Sequence, residues 1–301
     1  MAEHAGETIL HGLVAAGVIL ALLRLWPGDP PGSRLRFQLL ALAFPALVAP
    51  AFWILAPWRS SDAFRDERAL FSTHRLGQLR LGGWGLDSWL GLSLAIAGSV
   101  LFLRDFGPFL LEAVGKPRQA GGEPCDEALV EAARETAAAL GVSPPSIACP
   151  GGDGPLLLTV GLWRPRILIS RALVDRLSPG ELRAALAHEM AHVAHRDPLL
   201  GAGLMGLRAL LFFNPAVQVV ARAAVQEMER RADDVAVRAT GAPEALVRGL
   251  LTGYREGEGR RMTARGWPGL DGLGRLLDRF RVRAIEARCR RLLIGAGEPA
   301  P

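Results

Sequence analysis

The chain has 301 residues, half of them hydrophobic and 22% charged, with a formal net charge of +5. That balance excludes intrinsic disorder, and the charge is too modest to point to a nucleic-acid partner. Three cysteines (Cys125, Cys149, Cys289) form no CxxC pair and are odd in number, so neither a disulfide framework nor a thiolate zinc site is expected.

The apolar half of the composition is concentrated in the first third. Residues 9–26, 37–58 and 84–103 form three long apolar runs, with Trp26, Trp53, Trp58, Trp84 and Trp89 near their ends. About 20 apolar residues at 1.5 Å each cross a hydrocarbon core roughly 30 Å thick. Tryptophans at the ends of such runs suit interfacial anchoring. The flank before the first run is acidic (Glu3, Glu7) and no small-residue cleavage site follows, which argues against a signal peptide. Three transmembrane helices are therefore expected within a membrane domain of residues 1–115. The acidic N-terminus predicts that it lies outside, so that an odd number of spans puts everything after the third in the cytoplasm. The arginine balance, with five in the 59–80 loop, supports this only narrowly.

The polar, turn-rich segment 116–124 reads as a domain boundary. Residues 126–140 have an amphipathic helical pattern stopped by Gly141 and Pro144-Pro145. Two short aliphatic runs, 156–160 and 166–170, flank Gly161-Leu162-Trp163-Arg164-Pro165 and predict a β-hairpin. Ser178-Pro179-Gly180-Glu181 then predicts a helix start, with Ser178 and Glu181 forming a capping box and Pro179 at the first helical position.

That helix carries His188-Glu189-Met190-Ala191-His192. Residues four apart share a helix face, so His188 and His192 can reach one metal ion. Imidazole nitrogen suits Zn²⁺, and two His plus one carboxylate leave a position open for water. Glu189 is placed to take a proton from that water without binding the metal. His195 reads as an exposed histidine at the helix end, and Asp197-Pro198 as the cap and first turn of the next helix.

Residues 199–221 are apolar enough to suggest a fourth span, yet a single crossing would carry the following acidic segment across the bilayer from His192. Asn214-Pro215 is the point where a helix must break. An antiparallel helical hairpin with its tip near Asn214 is expected, with both ends at the metal. The third ligand follows in Glu229-Arg230-Arg231-Ala232-Asp233-Asp234. Glu229 is the candidate ligand. Asp233, four residues on, can hold a ligand histidine through its free N–H. Glu227, Arg230 and Arg231 read as a solvated charged face. From residue 255 the tail holds 11 Arg against six acids, equal to the whole net charge. A helix packed on the catalytic domain is expected there, although an anionic lipid surface could also receive its basic face. An arginine of this segment, or Tyr254, could stabilise an oxyanion.

The run of HEMAH, HRDP (195–198), FFNP (212–215) and ERRADD (229–234), preceded by the 161–167 hairpin loop, resembles the BlaR/MecR-type membrane-bound antirepressor metallopeptidases. The likeness covers residues 150–240 well and the three leading apolar runs weakly. It is related to HtpX-like and CAAX-type proteases, which share HExxH with a downstream ExxxD. The resemblance implies zinc held by His188, His192 and Glu229, with Glu189 as general base. It also implies a mainly α fold: three membrane helices followed by a gluzincin-like α+β zinc peptidase domain. That domain has a small sheet and a helical hairpin between the metal ligands. The family commonly has Cys where this chain has Ala232. Its receptors continue into a penicillin-binding sensor that the sequence through Pro301 does not carry, so direct β-lactam sensing is not expected.

The expected organisation is a membrane domain (1–115), a zinc metallopeptidase domain (116–254) and a basic helical tail (255–301). The expected function is that of a membrane-integral zinc metalloendopeptidase of the inner membrane, holding one Zn²⁺ per chain. Its substrate would be a protein or peptide, with a repressor-like regulatory protein as the implied class. The competing reading is a non-catalytic membrane scaffold with a structural metal site, against which the intact Glu189 argues.

Overall fold

A computed structural model describes residues 2–25, 32–61, 64, 79–114, 122–123, 125–151, 154, 156–261 and 271–295. The chain is mainly helical with small sheets and divides into two units. The first joins Met1–Gly115 to Leu200–Met228, and the second joins Lys116–Leu199 to Glu229–Pro301.

The first unit contains α1 (Ala2–Leu25), α2 (Ser33–Leu55), a 3-10 turn (Pro57–Ser60), a minimal hairpin of β1 (Arg80–Leu81) and β2 (Trp84–Gly85), and α3 (Leu86–Val114). Two windows, Thr8–Leu25 and Leu86–Leu103, are long and apolar enough to cross a membrane. Only 6% of the second window is buried, and Ile96, Val100 and Leu103 face outward, an arrangement suited to lipid rather than to a soluble core. Three spans were expected and two windows are found among the described residues. The middle run, 37–58, falls on α2 and on the 3-10 turn, which ends the helix at Leu55. The side chains of Ala49 and Trp53 within it lie outside the described residues, as does Trp26.

The unit is completed by parts of α7 (Asp197–Leu210) and α8 (Pro215–Thr240), which are separated by a turn at 211–213. The break occurs at Asn214-Pro215, where proline removes a donor and bars the preceding residue from helical geometry. Arg208 Nε donates to Gln218 Oε1 at 3.1 Å, and Gln218 Nε2 returns a bond to the Arg208 carbonyl at 3.1 Å. This pair braces the two helices across their turn. Asn214 is fully buried. Its Oδ1 accepts from the backbone N–H groups of Ala216 and Val217, capping α8, while its Nδ2 donates to the Thr8 carbonyl of α1 at 2.8 Å. Leu42, Leu204, Leu211, Val217 and Val220 form the core among these helices.

The second unit opens with β3 (Gly122–Glu123) and α4 (Glu127–Ala139), followed by β4 (Ser146–Pro150), β5 (Leu157–Val160) and β6 (Arg166–Ile169). The sheet order is β3-β4-β6-β5, with β4 parallel to β6 and the expected β5–β6 hairpin antiparallel. A short α5 (Arg171–Val174) leads into α6 (Pro179–Ala194). The capping box is present: Glu181 N–H donates to Ser178 Oγ and Ser178 N–H to Glu181 Oε2. Leu129, Ala133, Ile167, Ile169, Leu186 and Met190 bury the seam between α4, the sheet and α6. The unit closes with α9 (Pro243–Arg261) and α10 (Asp271–Gly295).

The cysteine expectation fails here. Cys125 and Cys149 form a disulfide, with Cα atoms 5.4 Å apart, and Cys289 is free. The cause is strand register. Cys149 stands opposite Glu123 in the β3–β4 pair, which brings Cys125, two residues further on, within bonding reach. A spacing of 24 residues shows no such pairing in the sequence.

Candidate metal centre

Helix α6 presents His188 and His192 one turn apart, and α8 brings Glu229 to them. One ligand atom from each of the three lies within 4.8 Å of the others. The two Nε2 atoms face each other at 3.2 Å. His188 Nε2 is 3.6 Å from Glu229 Oε2, and His192 Nε2 is 3.8 Å from Glu229 Oε1. Ligands about 2.0–2.1 Å from a tetrahedral ion lie about 3.4 Å from one another, so this donor set fits Zn²⁺ in both chemistry and size.

Each histidine is backed by a carboxylate, and each carboxylate by an arginine. His192 Nδ1 lies 2.8 Å from Asp197 Oδ2, and Arg231 holds Asp197 Oδ1 at 2.5 Å. An Nδ1–H that donates to Asp197 leaves His192 with its Nε2 lone pair toward the site. His188 Nδ1 lies 3.1 Å from Asp233 Oδ1, and Asp233 is fully buried. Arg288 of α10 donates to Asp233 through Nε at 3.0 Å and Nη2 at 2.6 Å, and pairs with Glu229 Oε2 through Nη1 at 2.7 Å. Burial opposes the imidazolium of His188, but Asp233 and Glu229 outweigh it and raise its pKa to about 9. Burial would raise the Glu229 carboxyl, yet hydrogen bonding to His188 and the charge of Arg288 bring it down to about 2. Asp233 is likewise lowered to about 2 by His188 and Arg288 against its own burial.

Glu189 lies on the same helix with its Oε2 2.7 Å from Thr159 Oγ1 of β5, an outer strand of the sheet. Thr159 was not singled out in the sequence. Its only signal there is an alternating polar position in an aliphatic strand.

Three expectations are corrected. Asp197 starts α7, as expected, but its side chain is turned onto His192 and only 4% exposed. The turn between α6 and α7 explains this. Arg196 sits at φ 55°, a left-handed conformation rare for a residue other than glycine, and at this turn Asp197 lies against His192. Arg231 is not part of a solvated face, because it clamps Asp197 with its own side chain only 20% exposed. His195 stands apart from the cluster, with Nδ1 2.8 Å from the Ala191 carbonyl, and is half-buried rather than exposed. Tyr254's side chain lies outside the described residues.

Residues 115–243 match the family described as BlaR1 peptidase M56. The chain resembles a BlaR1/HtpX-type membrane zinc peptidase. The second half of that likeness is to a protein named protease HtpX homolog from Aeropyrum pernix, 29% identical over 147 residues. That alignment covers 44% of this chain and 45% of the relative, so the chain spans about half the length of the curated relative it matches. All of the proposed ligands, with Glu189 and Asp233, fall inside the BlaR1-type segment, whereas Arg288 lies beyond it.

Proposed function

We propose that this chain is a membrane-integral zinc metalloendopeptidase acting on a protein substrate, with a regulatory, repressor-like protein as the substrate class. His188, His192 and Glu229 hold the ion, Glu189 is the general base, and Asp233 orients His188. The observation that carries the reading is the convergence of three ligand atoms within 4.8 Å, at separations a tetrahedral ion demands.

Zinc bound there supplies a Lewis acid for the scissile carbonyl and brings the pKa of water toward neutrality. Glu189 accepts the proton of the attacking water and returns it to the leaving amine. Thr159 restricts the Glu189 carboxylate by its 2.7 Å hydrogen bond. The outer edge of β5, unpaired among the described residues, is the natural bed for an extended substrate, because strand addition supplies main-chain hydrogen bonds beside the base.

The organisation we favour keeps a membrane domain over 1–115 with three spans, α2 providing the second, and a peptidase domain over 116–254 followed by the tail. The hairpin arms of 200–228 pack with α1 and α2, which supports a place for them within the bilayer. The acidic N-terminus supports a cytoplasmic peptidase domain. The Cys125–Cys149 pair favours the opposite side, because disulfides persist in oxidising compartments. A periplasmic reporter fused after Pro301 reads the side directly.

The decisive experiment compares wild type with Glu189→Gln for zinc content and proteolysis in detergent. About one Zn²⁺ per chain is expected in both, with hydrolysis only in the wild type. Undiminished proteolysis by Glu189→Gln would sink the reading, and so would a wild type that binds no metal. Zinc held equally by an inert wild type would favour the scaffold.

A further inference from the structure

Arg288 is 55 residues beyond Asp233, in the basic tail, yet its guanidinium spans two carboxylates on successive turns of α8. Nε and Nη2 take the two oxygens of Asp233, and Nη1 takes Oε2 of Glu229. A fork of fixed geometry thus sets the angle between the third ligand and the carboxylate behind the first. Glu229 is the least buried of the three ligands, with a side chain 34% exposed against 7% and 13% for the histidines. Its side chain would otherwise be free to turn to water.

The position of Arg288 does not depend on its own ion pairs. Leu292, one turn further, is buried in a cluster with Ala184 and Ala187 of α6, Ala236 of α8 and Leu246 of α9. Arg291 pairs with Asp234, reaches the Arg230 carbonyl at 3.3 Å and touches Asp233 Oδ2 at 3.4 Å, a longer contact than either bond from Arg288. Apolar docking and a second arginine therefore hold α10 in place, and Arg288 is delivered to the cluster by that docking.

We propose that Arg288 is a positioning residue of the metal centre, through which the C-terminal helix controls metal affinity by fixing Glu229 and Asp233 in their ligating arrangement. This rests on the zinc peptidase reading. The sign of the effect separates it from simple electrostatics. A guanidinium beside a divalent cation repels it, so an arginine without a positioning role would leave zinc binding unchanged or tighter when removed. A positioning role predicts weaker binding, by the roughly 10–100-fold typical of lost outer partners of metal ligands.

The test is Zn²⁺ affinity of the full-length protein in detergent, measured by competition with a chromophoric chelator. The proteins are wild type, Arg288→Gln, Arg288→Lys and, as control, Arg290→Gln on the exposed face of the same helix. Arg288→Gln is expected to bind about 10–100-fold more weakly. Arg288→Lys, which keeps the charge and loses the fork, should fall between it and wild type, and Arg290→Gln should match wild type. Metal-free melting temperatures report whether each variant is folded. Should Arg288→Gln not fold, Arg288→Lys carries the same reading. Affinity equal to or tighter than wild type in a folded Arg288 variant overturns the proposal while leaving the peptidase reading intact. A wild type that binds no zinc overturns that reading itself.

Discussion

Asp197 Oδ2 lies 2.8 Å from His192 Nδ1, only five residues back along the chain, although a left-handed turn at Arg196 and the end of a helix separate them. The contact fixes the tautomer of His192 and aims Nε2 at Glu229. Asp197→Ala is therefore expected to weaken zinc binding by about 10–100-fold with the ligands untouched. It also leaves Arg231 without its buried partner, so a lower melting temperature is expected beside the chelator-competition result. Wild-type affinity in Asp197→Ala would refute the role assigned to this carboxylate.

The His188 pKa, raised from 6.5 to about 9, gives a pH signature in protein stripped of metal. A group whose pKa is raised on folding contributes stability that is complete below its unfolded value and lost as pH rises through its folded value. The metal-free melting temperature should therefore fall between pH 7 and pH 10. Zinc displaces the same proton, so uptake at pH 7 should release about one proton per ion from His188. Calorimetry in buffers of different ionisation enthalpy measures that number, and a value of zero would show that His188 is neutral beforehand.

Gly12 faces Asn214 so closely that an added Cβ would stand 2.4 Å from Asn214 Nδ2. Gly12→Ala must push the amide off the Thr8 carbonyl, leaving buried polar groups unpaired at roughly 1–3 kcal/mol. A drop in melting temperature in detergent is expected for Gly12→Ala. Gly17, whose Cβ would meet nothing within 4 Å, should accept alanine without loss.

The Cys125–Cys149 bond closes a loop of 24 residues, for which chain entropy predicts about 3 kcal/mol. Protein purified without reductant should show one reactive thiol, Cys289, and three after reduction and unfolding. Cys149→Ser should lower the melting temperature of the unreduced protein to that of the reduced one. Alkylation in intact cells before lysis also reports the compartment in which the bond forms. Three reactive thiols in the purified, unreduced protein would show that the pair does not form.

Local pattern alone determined much of this protein. The capping box at Ser178 and Glu181, the four-residue spacing of His188 and His192, the 156–170 hairpin and the break at Asn214-Pro215 are all rules acting within one or two turns of chain. The same holds for the nomination of Glu229, since a two-histidine helix lacks one ligand and the next helix bearing an ExxxD pattern is close at hand. What only the tertiary structure decided lies where distant segments meet. Strand register joined Cys125 to Cys149, and packing of β5 against α6 brought Thr159 to Glu189. A single left-handed residue made Asp197 a partner of His192 rather than only a helix start. Arg288, in a tail whose composition suggests a solvated basic face, became a partner of Glu229 because Leu292 buries its helix against α6 and α8. Charge composition says how many arginines a helix carries, but the direction each one faces is set by the apolar contacts that dock the helix.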